Sequence, residues 1–177
     1  MPESVRIKDI PENELTADQA KVFNDLVAGR GRLLTPYRIW IHSPRLAAAL
    51  ETIGTFLNKK SSLSEREDEL VICIIATHGQ GEYVWTVHTR TCVKLGIPQS
   101  VFDAIRAGRE PGLDNERERT VYDLARIAMQ PGAGSDEVFA RAERVLGRNG
   151  IAEVLALLGY YSSVAMGVKL HRVPVPA

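Results

Sequence analysis

Seven consecutive residues, Leu70-Val71-Ile72-Cys73-Ile74-Ile75-Ala76, are apolar or cysteine. Two acids, Asp68 and Glu69, separate them from Ser64-Glu65-Arg66-Glu67, a capping box in which the serine hydroxyl serves the amide of Glu67 and the Glu67 carboxylate reaches back. The pattern therefore predicts a helix that starts at a defined point and becomes apolar on every side one turn later. Such a helix is stable only when other elements surround it. The rest of the chain must supply that surround.

The remaining pattern supplies helices. Residues 1 to about 13 read as extended, with Pro2 and Pro11, and a short helix follows the cap residue Thr16. Gly29-Arg30-Gly31-Arg32 reads as a turn and Pro36 to Trp40 as irregular. Ser43-Pro44 opens a helix with Leu46, Leu50, Ile53, Phe56 and Leu57 at helical spacing, ending near Lys59-Lys60. The central apolar helix runs to about His78, where Gly79 and Gly81 break it. The next covers about Glu82 to Leu95 and stops at Gly96. Further helices are predicted from Pro98 to Ala107, Asn115 to Met129, Ser135 to Leu146 and Ile151 to Leu170. Breaks fall at residues 108–112, 131–134 and 147–150. No strand pattern is present, so the fold class is all-α, a helical bundle of about seven to eight helices. The expected division is residues 1-35 as an N-terminal arm with a short helix and residues 36-177 as the main helical domain.

Composition narrows the partners. The 177 residues hold 22 basic and 22 acidic side chains, and zero net charge argues against nucleic acid or an anionic membrane as partner. It also leaves little repulsion to oppose self-association. The N-terminus has no apolar segment of the kind a signal peptide needs. Ile151 to Leu170 is interrupted by Glu153, Tyr160, Tyr161, Ser162, Ser163 and Lys169, and reads as a buried helix rather than a membrane span. Cys73 and Cys92 both sit in apolar helical patterns and are expected as buried, reduced thiols, which suits a cytoplasmic location.

Few residues can carry chemistry. Glu69 is the last acid before the apolar run. Buried, it would be an acid–base group; at the rim, it would pair with an arginine such as Arg66 or Arg90. His88 shares a stripe with Val84, Val87, Thr91, Cys92 and Leu95 that should face the core. With a turn near residue 80, Glu69 and His88 fall at similar heights on an antiparallel helix pair, within reach of a hydrogen bond. Cys92 lies one turn from His88, as a small buried residue or as the thiol of a thiolate–imidazolium pair. Tyr83 and Trp85 either line a pocket or pack. Arg38, Arg45 and Arg90 are candidates for holding a substrate carboxylate. His42, His78, His88 and His171 lack metal-ligand spacing, so no metal is expected. The glycine-rich stretches follow no strand and form no phosphate loop.

Several motifs in order carry a family resemblance. They are Leu63-Ser64-Glu65-Arg66-Glu67 opening the apolar helix, Gly81-Glu82-Tyr83-Val84-Trp85-Thr86-Val87-His88, and Lys94-Leu95-Gly96-Ile97-Pro98. The ending Leu158-Gly159-Tyr160-Tyr161 through Val164-Ala165-Met166 adds a fourth. Over about residues 40 to 175 the chain resembles the carboxymuconolactone decarboxylase family, which includes the alkyl-hydroperoxidase-type proteins. The resemblance implies an alkyl hydroperoxidase-like helical bundle that assembles into trimers or hexamers. The family's peroxidase branch carries Cys-x-x-Cys with a glutamate twelve residues before the first cysteine and a histidine four after the second. That glutamate falls on Glu69 and that histidine on His88, whereas the two cysteines fall on Gly81 and Val84. A dithiol peroxidase needs both thiols. The resemblance therefore implies the decarboxylase branch, which uses no metal or organic cofactor. It acts on a small carboxylated lactone or oxo acid, with a Glu69–His88 proton relay and Tyr83, Trp85 and His42 shaping the pocket. The alternatives are a single-thiol hydroperoxide reductase using Cys92, and a non-enzymatic helical oligomer that keeps the fold.

Overall fold

A computed structural model describes residues 4–132 and 134–176, with backbone alone at residues 79 and 80. Met1 to Glu3 of the extended lead, Ala133 of the second break and Ala177 lie outside the described residues. The central helix is α4, Glu65–Ile75. Its capping box forms as predicted: Glu67 N–H donates to Ser64 Oγ at 3.3 Å, and Ser64 N–H donates to the Glu67 carboxylate at 2.8 Å. From Leu70 to Ile75 no residue is more than 2% exposed. Each such aliphatic side chain contributes about 1.5–3 kcal/mol by leaving water. That gain holds only because α5 (Glu82–Lys94), α7 (Glu116–Ala128) and α8 (Asp136–Leu170) close around α4.

Two guanidinium groups fix the start of α4. Arg117 of α7 donates to both oxygens of buried Glu67, at 2.8 and 3.3 Å. Arg66 donates to Glu118 at 2.6 and 3.1 Å and to the carbonyl of Leu95, at the end of α5, at 2.7 Å. Two-pronged contacts of this kind set orientation as well as distance. The first turn of α4 is thereby pinned to α7 and to the far end of α5.

The outer helices are α1 (Ala17–Arg30), α2 (Thr35–Trp40), α3 (Pro44–Lys59) and α6 (Gln99–Arg106). Helix α1 carries its own capping box on Thr16 and is longer than the short helix expected. Its Val22 and Leu26 share a small second core with Tyr37, Trp40, Ala47 and Val164. Three local expectations change. Residues 36–40 are helical, because Pro36 sits in the first turn of α2, where a missing N–H costs nothing, and Tyr37 and Trp40 gain burial. The central helix leaves α-geometry after Ile75 for a π-helical turn, Ala76–Gln80. There the Thr77 hydroxyl donates to the Ile74 carbonyl at 2.7 Å, and His78 Nδ1 meets the same oxygen at 3.0 Å. Finally, α8 runs on through residues 147–150, and the expected break survives as a kink. Gly147 has φ 69° and ψ 172°, outside helical values, so two straight arms meet there. Among the described residues, α8 is also the helix long and apolar enough to cross a membrane, and half of its apolar window is buried in the fold.

Gly54 on α3 lies beneath the second core. A Cβ there would strike the Tyr160 hydroxyl and stand 3.2 Å from that of Tyr37. Alanine gains about 1 kcal/mol of helix propensity over glycine, whereas forcing a methyl into packed space costs about 1–3 kcal/mol. Gly54→Ala is therefore expected to lower the denaturation midpoint. The loss should shrink when Tyr160→Phe removes the hydroxyl, as a double-mutant cycle in urea would show.

Candidate functional site

The clamp on the first turn of α4 decides where Glu69 points. His88 Nδ1 lies 2.8 Å from Glu69 Oε2, and the two side chains are 16% and 14% exposed. A carboxylate only accepts, so the imidazole donates from Nδ1. This is the arrangement that orients a histidine as a proton carrier. The arginine partners considered for Glu69 are not used in that way: Arg66 is engaged by Glu118, and Glu69 takes His88 instead.

Aromatic rings wall the pair. Tyr161 stands edge-on to His88, centroids 5.5 Å apart at 87°. Its hydroxyl donates to Asn58 at 3.0 Å. Tyr160 packs on Tyr161 at 5.3 Å and shares a 3.1 Å hydrogen bond with the Tyr37 hydroxyl. Both hydroxyls thus have partners. Burial, with Glu69 next in importance, pushes the Tyr161 phenol up, so it stays a donor.

Asp68 is the group that sequence reasoning missed. It is 8% exposed, and its Oδ1 has no partner among the described residues. Burial first, then Glu69, Glu67, Glu153 and Glu65, push its carboxyl up to about 8. The signal was available: an acid one residue before Glu69, at the mouth of a helix apolar on all sides, must be partly drawn inside.

The other candidates lie elsewhere. The Cys92 sulfur is fully buried, 3.7 Å from that of Cys73, and both thiols are free. The contact with Cys92 and then burial hold the Cys73 thiol well above its ordinary value. The Tyr83 hydroxyl donates to Thr35 at 3.2 Å. Trp85 lies under the Arg106 guanidinium at 5.3 Å, beside a cavity of about 280 Å³ that also touches Thr77, Gly81 and Glu82. His42 is exposed between α2 and α3. Arg38 forms two bonds to Asp9, at 2.5 and 3.0 Å, in a groove of about 520 Å³ between the N-terminal segment and α1. None of these four hydrogen-bonds to Glu69 or His88, and neither member of the pair lines either space. Among the described residues, no three His, Cys, Asp or Glu side chains converge as a metal site requires.

Known structures match this architecture. The debrominase Bmp8, solved in complex with 2,3,4-tribromopyrrole, superposes with a TM-score of 0.72 at 13% identity, over 97% of this chain and 91% of its own. An uncharacterised peroxidase-related protein from Silicibacter sp. TM1040 gives 0.71 at 17% identity, over 99% and 94%. An alkylhydroperoxidase core protein from Ralstonia eutropha JMP134 gives 0.71 at 11%, over 95% and 90%. The chain has the alkylhydroperoxidase-like fold. No protein-family model and no curated protein sequence matches it. At these identities the likeness establishes the fold, and the chemistry has to be argued from the residues.

Asp68 has a measurable signature. Its folded value of about 8 lies above the ordinary 3.8, so the folded state binds a proton that the unfolded state releases. Its contribution is complete below about pH 4 and is lost as the pH rises towards 8. Melting temperature should fall across that window, and Asp68→Asn should flatten the fall, raising stability most at the alkaline end.

Proposed function

We propose that the protein is an enzyme acting on a small molecule by acid–base chemistry, with Glu69 and His88 as the proton-carrying pair. The observation that carries this reading is the 2.8 Å contact between two largely buried side chains that leaves Nε2 of His88 uncommitted. The reaction class it suits is cofactor-free decarboxylation of a small carboxylated lactone or oxo acid. The carbon–carbon bond to the carboxylate breaks, carbon dioxide leaves, and the electron pair passes into the conjugated carbonyl as an enolate. Protonated His88 then delivers a proton from Nε2 to carbon, and Glu69 stabilises the imidazolium that precedes the transfer.

Neither residue lines the cavities described above, which is what a scaffold that kept only the fold would show. Their partial exposure is what an enzyme needs. Self-association reconciles the two, because a second copy could complete a wall over the pair. The apolar side chains that favour it are Leu46, Ile53 and Phe56 on α3 and Leu155, Met166 and Leu170 on α8, all more than 40% exposed. Light scattering is expected to give the mass of a trimer or hexamer. Phe56→Asp combined with Met166→Glu should shift it towards the single chain.

The decisive experiment is turnover on a panel of small carboxylated lactones and oxo acids, followed by release of carbon dioxide. His88→Ala should lower the rate by about 10²–10⁴-fold, with helicity and mass unchanged. Glu69→Gln should lower it as well, by removing the group that fixes the imidazole. Full activity in His88→Ala would sink the assignment. A second reading rests on the 3.7 Å sulfur contact. Cys92 as thiolate would attack a hydroperoxide, releasing an alcohol and leaving a sulfenic acid that Cys73 condenses into a disulfide with loss of water. Hydroperoxide consumption that disappears in Cys92→Ser, with a Cys73–Cys92 bridge seen by mass spectrometry, would favour that reading over the first.

A further inference from the structure

On another part of α4, where it passes into the π-helical turn, a cavity of about 350 Å³ opens against α6 and α7. Neither Glu69 nor His88 lines it. Its floor is apolar, from Ile74 and Ile105, and its rim is polar, from Thr77, His78, Tyr122 and Arg126. Arg106 also borders it and continues into the neighbouring space beside Trp85. No acidic residue is among its described lining. In a chain with as many acids as bases, a concave surface holding two guanidinium groups and an imidazole without a carboxylate is a local departure from balance.

The commitments of these groups differ. Arg106 is taken: it pairs with Glu82 and lies over the Trp85 ring. Arg126, only partly exposed, has no hydrogen bond or ion pair to any described residue. The Tyr122 side chain is 5% exposed, and its hydroxyl makes no hydrogen bond to a described residue. His78 spends Nδ1 on the Ile74 carbonyl and keeps Nε2. A guanidinium, a phenol and an imidazole nitrogen thus face one small space with unspent hydrogen-bonding capacity. Small-ligand sites combine an apolar lining with a few convergent polar groups.

We propose that this cavity binds a small organic carboxylate, with Arg126 holding the carboxylate, the Tyr122 hydroxyl donating to it, and the apolar body resting on Ile74 and Ile105. The volume accommodates one aromatic ring or a short branched chain. The site is independent of the Glu69–His88 pair and stands whether or not that pair is catalytic. Its place at the π-helical turn gives it a route to the rest of the protein. The Thr77 and His78 side chains that hold the turn on the Ile74 carbonyl also line the cavity, so an occupant would act on the turn directly.

The test is titration of the full chain with benzoate, followed by the backbone amide signals of Thr77, His78 and α7. Saturable shifts at millimolar benzoate or tighter are expected, with benzamide, the neutral isostere, giving none. Arg126→Gln should weaken benzoate by about ten-fold or more, and Tyr122→Phe by a smaller factor. Glu69→Gln should leave binding unchanged, which separates this site from the proposed catalytic pair. Arg126 has no hydrogen bond or ion pair to a described residue, so its replacement should leave the melting temperature in place. Shifts that do not saturate, equal response to benzamide, or benzoate binding indifferent to Arg126→Gln would overturn the proposal. Inorganic phosphate binding as tightly as benzoate would overturn the role given to the apolar floor.

Discussion

A helix without a solvent face must be enclosed, and the fold follows from that requirement on α4. Six consecutive side chains at 2% exposure or less leave no direction in which the backbone may meet water. Helices α5, α7 and α8 are the enclosure. Polar chemistry can then emerge only at the two ends of α4, before the apolar run begins and after it stops. The N-terminal end carries Glu67, Asp68 and Glu69; the C-terminal end carries Thr77 and His78.

The three acids at the N-terminal end meet different environments, and their roles diverge accordingly. Glu67 is taken by the capping box and Arg117, and is structural. Glu69 meets an imidazole and hydrogen-bonds to it. Asp68 meets neither cation nor donor at Oδ1 among the described residues, and burial pushes its carboxyl up to about 8. One turn of helix thus holds three acids in three environments, and the partner supplied by the surrounding helices makes the distinction.

Much of this was legible in the chain. The all-α class, the Ser64–Glu67 capping box, the Thr16 cap and most helix boundaries followed from apolar period and cap chemistry, whereas the reciprocal Gln19 bond at Thr16 did not. The Glu69–His88 contact followed from a turn placed near residue 80 and the common stripe of His88 with the core. What escaped has physical reasons. Residues 36–40 looked irregular because a proline was read as a breaker, when its place in a first turn made it compatible with helix. The π-helical turn depends on two side chains folding back on a single carbonyl, which no periodicity reports. The break read at residues 147–150 is real as a kink, because Gly147 leaves helical geometry; what no pattern reported is that the helical path resumes directly after it. Arg38, Trp85 and His42 were named by residue type, and their surroundings, Asp9 for Arg38 and Arg106 for Trp85, come from tertiary packing that no local pattern reports.

Gly81 sets a constraint on the main chain at the entry to α5. It has φ 108° and ψ 157°, a backbone region that side-chain-bearing residues enter only at a cost of about 1–3 kcal/mol. By the family resemblance this is where the first thiol of a dithiol peroxidase would sit. The second would replace Val84, which is 1% exposed. Cysteines written at those two positions would strain the entry to α5 at one and bury the thiol at the other. The difference from a thiol pair lies in the path of the main chain as well as in the identity of two side chains.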